Sequence, residues 1–168
     1  MNTRFRTLVL AASTLLLSLA ADAQLPGGRY QGSIVNNAQN EWCRMTDATI
    51  EFMDAGQGRY QMVWQEEGFT PNGGFCNSNR DGVLIPTSTK GVWNIDFQDF
   101  NLSFGRATFD PETRTLKILA TYSTLNTGFS TLDGRFQFQD EGSRLSYSRM
   151  IGSAAASTLF ANGNLYRR

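Results

Sequence analysis

The 168-residue chain contains no histidine, two cysteines and four prolines. The absence of histidine excludes Ser-His-Asp and Cys-His catalysis, histidine-ligated zinc and a histidine proton shuttle. Basic and acidic side chains are balanced at 15 each, which argues against nucleic acid or an anionic membrane surface as a partner, since both attract a basic excess. Hydrophobic residues make up 40 % of the chain and aromatic residues 12 %, enough to build a folded core.

Residues 1–23 have the features of a secretory signal peptide. Arg4 and Arg6 precede a short apolar run, which ends in the small-residue segment Ala21-Asp22-Ala23. That run is shorter than the roughly 20 residues that a membrane-spanning helix requires. We therefore predict that the segment is removed, leaving residues 24–168 as a single periplasmic or secreted domain without a membrane anchor.

The two cysteines, Cys43 and Cys76, are predicted to form a disulfide. Export would place them in an oxidising compartment, where such a pair is usually bonded. Two thiols without histidine do not supply the ligands of a four-coordinate metal site, and the C-x-x-C redox spacing is absent. We expect neither a metal nor a cofactor.

Alternation of apolar and polar residues with a period of two dominates the mature chain. Tyr60, Met62 and Trp64 alternate with polar or small neighbours after a glycine-bearing turn at 54–58. A change of parity around Gly105 predicts a bulge. Because short connections separate these segments, we predict an all-β fold, a single antiparallel meander barrel of eight to ten short strands.

One segment departs from the alternating pattern. Ser153 is a possible helix cap, followed by an alanine-rich stretch and by the stop signal Asn162-Gly163. These residues predict a short C-terminal helix at 154–161. A strand over the same residues is the alternative.

A motif at the start of the first predicted strand, together with one residue on a late strand, resembles a pattern found in a known group of barrels. Gly28-Arg29-Tyr30 begins the first predicted strand, and Arg149 shares the inward parity of Leu145 and Tyr147. This pattern resembles that of the calycins, the lipocalins and avidins, in which a G-x-W aromatic packs under a late arginine and closes the barrel. Tyr30 stands in place of the tryptophan. The resemblance implies an eight-stranded meander barrel with structural roles for Tyr30 and Arg149.

A barrel of this kind favours small-molecule binding at its mouth. We expect the protein to bind an apolar or aromatic small molecule there, with a rim formed by residues 68–82, the longest irregular stretch of the sequence. The candidate ligand-binding residues are Trp64, Phe75, Arg80, Trp93 and Tyr122.

Two other functions remain open. The chain is alternatively a protein-interaction module, such as a periplasmic enzyme inhibitor, that presents the 68–82 loop to a protein partner. The third possibility, a histidine-free barrel enzyme, is less favoured, and no catalytic residue is assigned. Glu51, Glu66 and Asp96 are expected on outward-facing positions or at strand ends, so no two carboxylates are placed together as glycoside hydrolysis requires.

Overall fold

The computed structural model describes residues 24–36, 43–98, 102–124, 128–153 and 156–168, with backbone only at 103–104, 122–124, 128–129, 153 and 156–159. The predicted signal peptide, residues 1–23, lies outside the described residues.

Antiparallel strands make up almost all of the described structure. Eleven strands follow one another along the chain, and their bounds are β1 Gly28–Asn36, β2 Arg44–Gly56, β3 Arg59–Phe69, β4 Phe75–Asn79, β5 Gly82–Pro86, β6 Val92–Phe97, β7 Leu102–Asp110, β8 Thr115–Thr124, β9 Gly128–Gln139, β10 Arg144–Ser153 and β11 Ala156–Arg167.

The sheet closes on itself as a barrel with ten strand positions. Strands pair with their neighbours in sequence, and β11 pairs with β1 to complete the circle. Strands β4 and β5 share one of the ten positions, because both pair with β3: β4 pairs with Gln65–Phe69 and β5 with Tyr60–Met62. The predicted all-β meander barrel is confirmed.

The alternating strand directions give the barrel two distinct ends. The turn end is the end at which the chain enters β1, and at which it passes from β2 to β3 and from β9 to β10. We call the loop end the one at which β1, β3, β6, β8 and β10 finish. At the turn end, Leu25 is buried and its backbone N–H donates to Tyr60 Oη at 3.1 Å.

The inward-facing residues differ between the two halves. Toward the turn end, fully buried aromatic rings pack edge to face, with ring centroids 5.8 Å apart for Phe52 and Phe136 and 5.9 Å apart for Tyr30 and Phe138. Toward the loop end, small side chains occupy several buried positions, including Ala48, Ala120, Ser130 and Ala161. Large rings therefore fill one half, whereas the other is lined in part by small residues.

The structure corrects the helix predicted at 154–161. Residues 154–155 lie outside the described residues, and Ala156–Arg167 form β11. This strand pairs with both β10 and β1, so closure of the barrel overrides the local helical preference of its alanine-rich start. None of the helical structure within the described ranges is long and apolar enough to cross a membrane.

The segment predicted as an irregular loop, 68–82, is largely a hairpin. Strand β4 pairs with the end of β3, so the connection itself is confined to 70–74. There Thr70 Oγ1 accepts a 2.9 Å hydrogen bond from the Gly74 backbone N–H. The predicted bulge at Gly105 is confirmed, since the pairing of β7 with β8 shifts register between Ser103 and Arg106.

Candidate functional site

Glu66 is a carboxylate buried inside the barrel, and its side chain is 0 % exposed. It lies on β3 and continues the inward parity of Tyr60, Met62 and Trp64. The expectation that Glu66 lies on an outward-facing position or at a strand end is therefore wrong. Parity was the signal that could have located it, because an even-numbered residue of this strand points into the barrel.

Three side chains contact the carboxylate of Glu66. Arg80 Nη1 donates to Oε2 at 3.0 Å, and Arg149 Nε donates to Oε1 at 3.0 Å. Tyr147 Oη donates to Oε1 at 2.5 Å and accepts a 3.0 Å hydrogen bond from Trp64 Nε1. We call these five residues the interior polar cluster.

Arg80 enters the cluster because β4 and β5 are separate segments. Its backbone N–H donates to the Trp64 carbonyl at 2.7 Å, while the Trp64 N–H donates to the side chain of Asp81 at 2.9 Å. Asp81 thus takes the place of a backbone acceptor at the break between the strands. This arrangement turns Arg80 inward, with its Cζ 5.2 Å from the Trp64 ring centroid.

The charges of the cluster stabilise one another. Burial opposes the ionisation of Glu66, but Arg80, Arg149 and the hydrogen bond from Tyr147 outweigh it and lower the pKa of the carboxyl. Burial, together with the Glu66 charge, raises the pKa of Tyr147 well above its ordinary value. At neutral pH the cluster therefore contains an ionised Glu66 and a neutral Tyr147.

One side chain of the cluster has a donor atom without an acceptor among the described residues. The Arg80 side chain is 4 % exposed, and its Nε is buried with no hydrogen-bond partner in that part of the chain. Leaving such a donor unsatisfied costs about 1–3 kcal/mol. At the loop end, Asn36 Nδ2 is a second buried donor that finds no partner among the described residues, and Asn36 has the inward parity of β1.

Among the predicted ligand-binding residues whose side chains the structure describes, two lie together and two lie elsewhere. Trp64 and Arg80 lie together in the cluster, whereas Trp93 lies near the turn end, where its Nε1 donates to the Gly58 carbonyl at 2.8 Å. Phe75 is 63 % exposed. Tyr122 pairs through its backbone in β8, but its side chain lies outside the described residues.

The structure places Tyr30 and Arg149, the two residues of the calycin resemblance, at different levels of the barrel. Tyr30 Oη donates to the Gly142 carbonyl at 3.0 Å at the turn end, whereas Arg149 is part of the cluster. The arginine next to the first-strand motif is Arg167, which pairs with Tyr30. A Cβ added to Gly28 would lie 2.9 Å from Arg167 Nε, so the glycine makes room for this arginine.

The predicted disulfide between Cys43 and Cys76 is confirmed. Cys76 lies on β4, and Cys43 immediately precedes β2, so the bond crosses the intervening strand β3. Both half-cystines are buried. The disulfide therefore ties the β3–β4 hairpin to the barrel wall at the loop end.

Two grooves formed by described residues lie on the outside of the barrel. A groove of about 640 Å³ runs over the outward face of β7 to β10 and is lined by polar side chains such as Lys117, Arg135 and Ser146. A groove of about 430 Å³ at the turn end is bordered by Lys90 and Trp93. In the part of the chain that the structure describes, Cys, Asp and Glu side chains form no group of three that could hold a metal.

Comparisons with known proteins identify the fold but no family. The chain is a closed, lipocalin-like antiparallel barrel, and no protein-family model or curated protein matches its sequence. The solved structure of the S-type phycobiliprotein lyase CPES from Guillardia theta is similar, with a TM-score of 0.51 over 84 % of this chain and 85 % of that one. The sequence identity is 10 %, so the similarity demonstrates a shared fold alone.

Proposed function

We propose that this protein is an exported binding protein that holds an apolar or aromatic small molecule in the loop-end half of its barrel. The observation that carries the proposal is the interior polar cluster around Glu66. It places charged groups inside the barrel, in the half that is lined in part by small residues.

Stability alone is a poor explanation for this cluster. Replacing a buried ion-pair network by well-packed apolar residues is often neutral or stabilising, so a barrel that needed only a core would not require one. Ligand sites, by contrast, combine apolar walls with a few polar groups held in fixed positions. Trp64 supplies an aromatic ring from β3, and Arg80 supplies a polar group that Glu66 and the backbone of Trp64 hold in place.

Two observations support export. Residues 1–23 resemble a secretory signal peptide, and Cys43 and Cys76 form a disulfide, a bond that persists in oxidising compartments. If export occurs, mass spectrometry of the protein recovered from the periplasm or medium will give a chain that begins at Gln24. Recovery of the full-length chain from the cytoplasm would contradict it.

Native mass spectrometry of residues 24–168, produced in an oxidising compartment, tests the binding function. We expect a bound small molecule to accompany the wild-type protein and a Glu67→Gln variant, because Glu67 faces outward on the same strand. A folded Glu66→Gln variant is expected to retain less of it. Wild-type protein that carries no small molecule, and that binds neither naphthalene nor dodecyl acids and alcohols, would refute this function.

A second function is favoured by the exposed tip of the β3–β4 hairpin. Phe69 and Phe75 are 52 % and 63 % exposed, and their ring centroids lie 6.5 Å apart. Exposed aromatic side chains anchored by a disulfide suit a protein-interaction module such as an inhibitor. Under this alternative, a Phe69→Ser/Phe75→Ser variant loses a periplasmic partner that wild-type protein captures, while small-molecule binding is unchanged.

A further inference from the structure

The unpartnered Nε of the Arg80 guanidinium indicates what the ligand must carry. Nη1 of this buried side chain is held by Glu66 at 3.0 Å, whereas Nε has no partner. Folded proteins satisfy nearly all of their buried polar groups, and each exception calls for an explanation. An N–H donor is completed by an oxygen acceptor.

The shape of the guanidinium narrows the choice of acceptor. Nε shares one edge of the planar group with Nη2, on the side away from Nη1. Two parallel donors on such an edge match the two oxygens of a carboxylate, whereas an alcohol offers a single oxygen. We infer that the small molecule bound in the loop-end half carries a carboxylate. The carboxylate accepts hydrogen bonds from Nε and Nη2 of Arg80, while Nη1 stays hydrogen-bonded to Glu66. This inference rests on the proposed binding function.

Arg80 is already oriented for this role. The ion pair with Glu66, the Trp64 ring 5.2 Å from Cζ and the backbone bond to Trp64 hold it in place before any ligand arrives. A preorganised donor avoids the cost of ordering a long side chain on binding. The second unsatisfied donor of this half, Asn36 Nδ2, also calls for an oxygen acceptor.

The test compares matched probes that differ only in the carboxylate. Calorimetry at neutral pH measures binding of 2-naphthaleneacetic acid against 2-naphthaleneethanol, and of dodecanoate against dodecanol. We expect wild-type protein to prefer each acid by on the order of tenfold to a hundredfold, the range of a charge-assisted hydrogen bond. An Arg80→Lys variant keeps a positive charge for Glu66 but lacks the Nε–Nη2 edge, so its preference should fall below about threefold with alcohol affinity unchanged. Arg106→Lys, at an exposed position on β7, is the control that keeps the wild-type preference.

The outcomes separate this inference from the function on which it rests. Equal binding of acid and alcohol to wild-type protein, or an acid preference that survives in Arg80→Lys, overturns the carboxylate assignment but leaves a binding protein. No binding of either acid overturns the carboxylate assignment, and wild-type protein that also carries no small molecule and binds neither alcohol overturns both. As an independent readout, the ¹H–¹⁵N NMR signal of Arg80 Nε, assigned by its absence from Arg80→Lys, should move downfield when the acid binds and stay in place with the alcohol.

Discussion

Replacing Glu66 by Gln is expected to destabilise the barrel strongly. The substitution keeps the size of the side chain and an oxygen that can accept from Tyr147, but it removes the charge that faces Arg80 and Arg149. Both guanidinium groups then remain in a buried environment without this carboxylate. Glu67→Gln is the matched control, because it makes the same chemical change one residue along β3 on the exposed side of the barrel.

The expected loss can be estimated from the burial of the pair. Removing one partner of a buried ion pair costs about 3–5 kcal/mol, and the retained acceptor places Glu66→Gln near the lower end, about 3 kcal/mol. For a domain of roughly 150 residues, 1 kcal/mol lowers Tm by about 2–4 °C, so we expect a fall of roughly 6–12 °C. Glu67→Gln should remain within about 0.5 kcal/mol of wild type. Urea titration followed by tryptophan fluorescence measures the free energy of unfolding of all three proteins.

The pH dependence gives a second measure of the same interaction. Because the pKa of Glu66 is lowered in the folded state, its contribution to stability is fully present above the unfolded pKa and is lost as the pH falls through the folded pKa. Wild-type protein should therefore lose more stability than Glu66→Gln on acidification from about pH 7 to pH 3. A Glu66→Gln variant as stable as Glu67→Gln at neutral pH, or one with the wild-type pH slope, would refute the ionised cluster.

Two further changes test neighbouring parts of the structure. Replacing Cys43 and Cys76 together by Ser should lower the free energy of unfolding by about 3–4 kcal/mol, because the disulfide closes a loop with a sequence separation of 33 and so restricts the unfolded chain. Unfolding in urea measures this loss. An unchanged free energy of unfolding would contradict the stabilising role of the disulfide. Tyr147→Phe leaves the buried Trp64 Nε1 without its acceptor and should lower the free energy of unfolding by about 1–3 kcal/mol. The control Tyr166→Phe, at a 56 % exposed residue, should lower it much less. Equal losses in the two variants would contradict a stabilising hydrogen bond between Trp64 and Tyr147.

Much of the fold could be predicted because one parity rule governs most strands. The inward positions of β3 and β10 follow directly from alternation, as does the bulge at Gly105. Strand β4 was missed because its sequence, Phe75–Asn79, is mostly polar and follows a glycine-rich turn. Its pairing depends on the length of β3, which local composition does not reveal.

The candidate site was predicted only in fragments. Parity predicts an inward Arg149, and Trp64 and Arg80 are both predicted ligand-binding residues. Glu66, which binds Arg80 and Arg149, is expected from the sequence on an outward-facing position or at a strand end. A carboxylate inside a barrel requires partners, because acidic residues are rarely buried without them. The partner Arg149 is 83 positions away along the chain, and only closure of the barrel brings the two together.

Arg149 and Arg167, both on late strands, lie in opposite halves of the barrel. Arg167 lies beside Tyr30 and Gly28 at the turn end, where aromatic rings fill the interior and the N-terminal segment packs against Tyr60. Arg149 binds Glu66 in the other half. A buried ion-pair network is often no more stabilising than a well-packed apolar core, so closure of the barrel does not by itself explain the charges at the loop end. A ligand that accepts from Arg80 would account for keeping them.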